Sequence, residues 1–244
     1  MIAALLRRSL VDLWDNAVSC FGLNIAVLSL AALFLYPISL TYALSPVLFA
    51  PAMVVAVWFG LVALAATAEL VSQVAARADI NVSSMRPDWL FCLVLAFTLV
   101  GLGGAAMLLL LGADAGSAQG VARAVGGGWL ILVVLELAVL SPAFALDRAA
   151  ALPRRLAELA GIVLRYPLAC FTILALSMLA MTATVGLLPG PAGAAYLYLR
   201  SGRMMRVGLN AAGNPNPMTD AIHHERQRVA NRTPRNLLQP WRTS

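Results

Sequence analysis

The sequence is short of most of what a soluble fold or a catalytic site is built from. It contains no lysine and only two histidines, His223 and His224, both near the C-terminus. No apolar stretch therefore offers an imidazole for haem, metal or general-base work, or a base that could activate a serine within a bilayer. His223, His224 and Glu225 lack the spacing of a zinc-protease helix, which needs a second histidine four residues after the first with the glutamate between. Charge is scarce as well: 11% of residues are charged, against about 25% in an ordinary soluble domain. From Asn16 to Ala68 there is no Asp, Glu, Lys, Arg or His, and similarly bare runs cover Trp89–Ala113 and Tyr166–Leu199. Cys20, Cys92 and Cys170 all lie inside such runs. Thiols there pack as small apolar groups, so neither a disulfide framework nor a zinc site is expected. Asp-rich metal motifs and basic clusters suited to lipid phosphates are missing too. The residues point to no enzyme, no cofactor and no nucleic-acid partner.

What is present is apolar: 61% of the chain is hydrophobic. A crossing needs roughly 20 apolar residues, and the first bare run is long enough for two. The runs are continuous and do not alternate with period two, which selects helices over a barrel. The fold class is all-α, a polytopic membrane protein with about six transmembrane helices. Four are expected at roughly 17–40, 47–70, 89–112 and 129–146, with a polar loop at 71–88 and a Gly-, Ala- and Ser-rich loop at 113–128. The last run, from Tyr166 past Arg200, turns near 186–191, where Pro189, Gly190 and Pro191 stand. Two crossings are expected there, although one span with a short or re-entrant helix also suits the pattern.

Two amphipathic helices are expected at the membrane surface. In 1–16, Ile2, Leu6, Leu10 and Leu13 share one face opposite Arg8, Asp12 and Asp15. A signal peptide is the competing reading, but Asp12 and Asp15 directly before the apolar run, and the lack of a cleavage site, argue against it. In 147–165, Arg148, Arg154, Arg155 and Arg165 interleave with Leu152, Leu156, Leu159 and Ile162. Arg7–Leu13 and Arg154–Leu159 echo one another, the mark of a weak parallel repeat, although apolar sequence produces such echoes easily. Residues 1–206 form one transmembrane domain. Residues 207–244 are a polar, arginine-rich tail, largely disordered or partner-bound, either solvated or in contact with anionic lipid or an acidic partner.

Orientation follows from the arginines. With the N-terminus inside and six spans, sixteen of the seventeen basic residues face the cytoplasm and only Arg123 lies outside. Both termini are then cytoplasmic. Arginine without lysine, together with abundant alanine, suggests a GC-rich bacterial genome and hence a bacterial inner membrane.

Few residues stand out as sites. Glu136, flanked by Val134, Leu135, Leu137 and Ala138, reads as a carboxyl near mid-bilayer, which costs several kcal/mol unless protonated, paired or hydrated. Asn24, Ser177, Thr182 or a backbone carbonyl are its candidate partners. The other roles open to it are a cation site in a carrier and a contact with another subunit. Gly101-Leu102-Gly103-Gly104-Ala105-Ala106 superficially suggests a nucleotide loop, but no strand precedes it. Gly101 and Ala105, four apart, instead permit close approach of another helix.

Leu10-Val11-Asp12-Leu13-Trp14 leading to Gly22-Leu23-Asn24, the Pro-bearing hairpin that follows, and Arg154–Arg165 leading to Tyr166-Pro167-Leu168 together resemble the YesL-type family of small bacterial integral membrane proteins. The resemblance covers most of residues 5–205 at the level of layout. It departs at Leu44-Ser45-Pro46, where the family tends to Pro-Leu-Val-Thr-like residues, and in the longer tail. It implies a six-helix membrane protein often linked with carbohydrate uptake systems, and it transfers no catalytic residue. The expectation is a non-catalytic accessory subunit that packs against other integral membrane proteins, with a small carrier using Glu136 as the alternative.

Overall fold

The computed structural model describes residues 20–25, 29, 46–75, 86–114, 116–183 and 190–210, and every element among them is helical. The surface helix expected at 1–16, most of the first span and the tail beyond Asn210 lie outside the described residues. After a helical segment at 20–25 come α1 (Pro46–Ala75), α2 (Trp89–Leu111), α3 (Ala118–Leu140), the single turn α4 (Pro142–Ala145), α5 (Leu152–Arg165), α6 (Pro167–Ala183) and α7 (Gly190–Asn210).

Apolar length decides which of these can cross a bilayer. Among the described residues Leu48–Ala75, α2 and α3 are long and apolar enough, and the bent pair α5–α6 makes a fourth if it counts as one span. The sequence-based count of about six is not reached. The first expected span lies outside the described residues, α6 has only 17 residues, and in α7 Arg200, Arg203 and Arg206 interrupt the apolar run.

α1 is the spine. Its 30 residues extend about 45 Å, more than the roughly 30 Å of hydrocarbon. Trp58 Nε1 donates to the Trp89 carbonyl at 3.1 Å, so α2 begins beside the middle of α1. Five residues of the polar loop expected at 71–88 belong instead to the end of α1. Val71 there clusters with Cys20, Ala192 and Tyr196, and Leu23 and Ala75 pack against them. α7 therefore starts beside the last turns of α1.

The α2–α3 hairpin corrects another expectation. The stretch 113–128 is mostly helix: α3 starts at Ala118, eleven residues before Trp129. Ser117 caps it, its Oγ accepting from Gly120 N at 3.0 Å. One of the glycines that read as loop, Gly127, is a contact residue. A Cβ on Gly127 would stand 2.8 Å from Leu110 Cγ and 3.0 Å from the Ala106 carbonyl oxygen. The connection is short, and Arg123 Nη1 ties it by donating to the Gly112 carbonyl at 3.0 Å.

α5 is the amphipathic helix expected within 147–165, and it meets α6 at an 88° bend. The bend has a local cause. Pro167 lacks an amide proton and restricts Tyr166, which leaves the helical region at φ −127° and ψ 46°. α6 and α7 then run antiparallel: Cys170 meets Met205, and Ser177 meets Tyr198 with hydroxyls 2.6 Å apart. The start of α7 thus lies at the same end as the last turns of α1. The main core gathers Phe91, Leu95, Phe144, Leu159, Ile162, Ile173 and Leu199 from α2, α4, α5, α6 and α7.

Candidate functional site

Charge is rare in this chain, so where it collects inside the fold is informative. Asp88 does two jobs. Its Oδ1 caps α2, accepting from Leu90 N at 3.0 Å and Phe91 N at 3.2 Å. Its Oδ2 pairs with Arg155 Nη2 of α5. Arg155, 3% exposed, also donates from Nη1 to the Phe144 carbonyl at 3.2 Å. Its guanidinium carbon lies 5.1 Å from the centre of the Phe91 ring. Asp88 N donates to the Ala145 carbonyl at 2.7 Å, and Arg148 Nη2 to the Pro87 carbonyl at 3.0 Å. The start of α2 is thereby bound to both α4 and α5.

A second set of pairs lies on the other side of Phe144. Arg206 of α7 donates from Nε to Glu158 Oε2 at 2.6 Å and pairs through Nη1 with Asp147. Its guanidinium carbon lies 5.2 Å from the Phe144 ring centre. Glu158 Oε1 also accepts from Arg154 Nε at 2.9 Å. Further along α7, Arg203 reaches Glu69 of α1 at 2.8 Å. Phe144 is thus held between two arginines, one on its carbonyl and one on its ring.

Burial pushes the Asp88 and Asp147 carboxyls up, but hydrogen bonds and charge from Arg155 and Arg206, helped by backbone amides, outweigh it and hold both below the usual carboxylate range. They are ionised at neutral pH and opposed by guanidiniums. Groups held in this way fasten elements together and are poor proton carriers.

The sequence reading missed this network because it treated the arginines of α5 as a surface set. A signal was available: Arg155 lies three residues after Leu152 and four before Leu159, on the apolar stripe of its own helix.

The residues singled out from sequence occupy three separate places. Asn24, 1% exposed, accepts from Ala192 N at 2.8 Å through Oδ1 and so serves the N-terminus of α7. Ser177, the other described candidate partner of Glu136, is bonded to Tyr198 and to the Leu174 carbonyl. Glu136 is 5% exposed and makes no hydrogen bond or ion pair with a described residue. Nor is it near mid-span. With α3 running from Ala118 to Leu140, it lies about 6 Å from the helix end. The misplacement followed from reading the first eleven residues of α3 as loop. Gly101 and Ala105 face outward, and a Cβ on Gly101 would meet nothing within 4 Å. The close approach inside the fold uses Ala106 and Gly127 instead.

The class these features define is an all-helical chain, among the described residues, with several helices suited to crossing a membrane and a partly buried ion-pair network joining α2, α4, α5 and α7. Comparison with known proteins returned no matching family model, no matching curated protein and no matching solved structure.

Proposed function

We propose that this chain is a non-catalytic subunit of a bacterial inner-membrane assembly, docking other integral membrane proteins on its lipid-facing side. The observation that carries this reading is the division of α2 into two faces. Phe91, Cys92, Leu95, Ala96, Leu99 and Ala106 are buried in the core. Phe97, Gly101, Gly104, Leu108 and Leu111 follow one another at helical spacing on the opposite, exposed side. Small residues between large apolar ones let a second helix come close. Meanwhile the ion pairs tie the inner faces to one another, so the chain presents itself to partners as a rigid body.

The same packing bears on topology. Six crossings would put the start of α7 on the opposite side from the end of α1, yet the two share one cluster. This supports a α6–α7 hairpin that turns on the cytoplasmic side. The first span and α1, α2 and α3 are then the full crossings, and both termini remain cytoplasmic. The arginine distribution agrees, since the inside segments stay inside.

The test is native mass spectrometry of the protein gently extracted from its own membrane. A stoichiometric assembly with another integral membrane protein is expected, and Gly101→Leu should weaken it. A lone monomer or homodimer would sink the proposal. A second reading, a small carrier, is favoured by the buried Glu136, which has no partner among the described residues. Uptake into proteoliposomes that requires Glu136 would support it, and uptake indifferent to Glu136→Gln would remove it.

A further inference from the structure

α2 and α3 are both apolar enough to cross a membrane and run antiparallel, so the start of α2 lies beside the end of α3. Asp88 N bonds to the Ala145 carbonyl at this end. Exposed arginines gather here too. Arg86 stands three residues before α2, and Arg148 three after α4. Arg148 Nη2 donates to the Pro87 carbonyl at 3.0 Å, which holds its guanidinium beside the residue that follows Arg86. The neighbouring carboxylates are already taken: Asp88 by Arg155, Asp147 by Arg206, and Glu158 by Arg154 and Arg206. Arg86 and Arg148 thus keep their charge uncompensated among the described residues. Trp89 and Leu90, which open α2, are each more than half exposed.

We propose that Arg86 and Arg148 bind the headgroup phosphate of an anionic phospholipid, with Trp89 and Leu90 against the first carbons of its acyl chains. The position argues for a lipid. Where two crossing helices leave the hydrocarbon, the surrounding layer is made of headgroups. Basic residues next to a span attract anionic lipid there, and tryptophan settles at the same depth. A guanidinium also matches a phosphate with two parallel hydrogen bonds. Free phosphate or an acidic protein segment could satisfy the arginines, but neither accounts for the exposed Trp89 and Leu90 beside them. The inference needs α2 and α3 to cross the bilayer and needs no partner subunit, so it is independent of the subunit reading above.

The experiment is native mass spectrometry of the full chain in detergent, titrated with phosphatidylglycerol or with phosphatidylcholine. Phosphatidylglycerol should stay bound where phosphatidylcholine does not, and inorganic phosphate should not displace it. Arg86→Gln with Arg148→Gln should weaken retention by roughly 25-fold, about fivefold for each guanidinium lost. Arg232→Gln with Arg235→Gln removes the same charge from the tail and should leave retention unchanged. Arg86 makes no hydrogen bond with a described residue, so Arg86→Gln alone should fold and still cost about fivefold. Equal losses in the two double variants would mean diffuse attraction and overturn the site. Equal retention of both lipids, or displacement by inorganic phosphate, would do the same. A bound protein released by Arg86→Gln with Arg148→Gln, while lipid retention holds, would assign the arginines to a protein and sink the proposal.

Discussion

A methyl group added at Gly127 has nowhere to go, because Leu110 and the Ala106 backbone already stand within 3.0 Å of the position it would take. Gly127→Val should therefore destabilise the α2–α3 hairpin by about 1–3 kcal/mol, the usual cost of overpacking. Gly101→Val meets open space inside the fold and should leave monomer stability unchanged. Thermal unfolding in detergent measures both. Gly190 is constrained in a different way. Its φ of +57° is left-handed, and a Cβ there would stand 2.2 Å from Asn24 Nδ2, so Gly190→Ala suffers backbone strain and collision together. Asn24→Ala removes an N-terminal cap, a loss of about 1 kcal/mol. The glycine substitution is thus expected to be the more damaging of the two in the same melting experiment.

Among the elements, α5 depends most on charge. Its buried Arg155 joins α2 and α4, and its Glu158 joins α7. Removing one member of a buried pair strands the other, at about 3–5 kcal/mol. Arg155→Met should come close to unfolding the second half of the chain, and Arg155→Met with Asp88→Asn should recover part of the loss. Arg203 is different: its side chain is half exposed where it meets Glu69, and Arg203→Gln should cost less than about 1 kcal/mol. Denaturant titration of the four proteins would show the difference directly. Element positions were legible where apolar runs were long and bare, as for α1, α2 and the break at Pro167. They were illegible where small residues mislead. The run from Ala118 to Gly128 has a loop's composition, and the Ser117 cap together with the facing Leu110 and Ala106 explains why it is helix. For Arg155, partners 67 and 11 residues away, Asp88 and Phe144, decide its role. Its own stripe position hinted at burial but could not name them.

For the molecule as a whole, the depressed carboxyls set the pH response. Asp88 and Asp147 titrate below their ordinary range when folded. Their contribution is therefore complete above that range and is lost as pH falls through it. Melting temperature should be flat from neutrality to about pH 5 and decline below about pH 4, and a flat profile down to pH 3 would count against the network. Topology has its own readout. In a chain with all three cysteines replaced, Leu188→Cys should react with an impermeant maleimide from the cytoplasmic side. Labelling from outside would restore six crossings. The bond between Asn24 and Ala192, 168 residues apart in the chain, carries one more consequence, for synthesis. At the roughly 5–20 residues per second at which chains are made, the first helix waits about 10–30 s before the amide it will cap exists. A ribosome that stops before codon 190 releases a protein whose opening helix lacks its designated mate, and membrane proteases have that interval in which to tell an abandoned chain from a finished one.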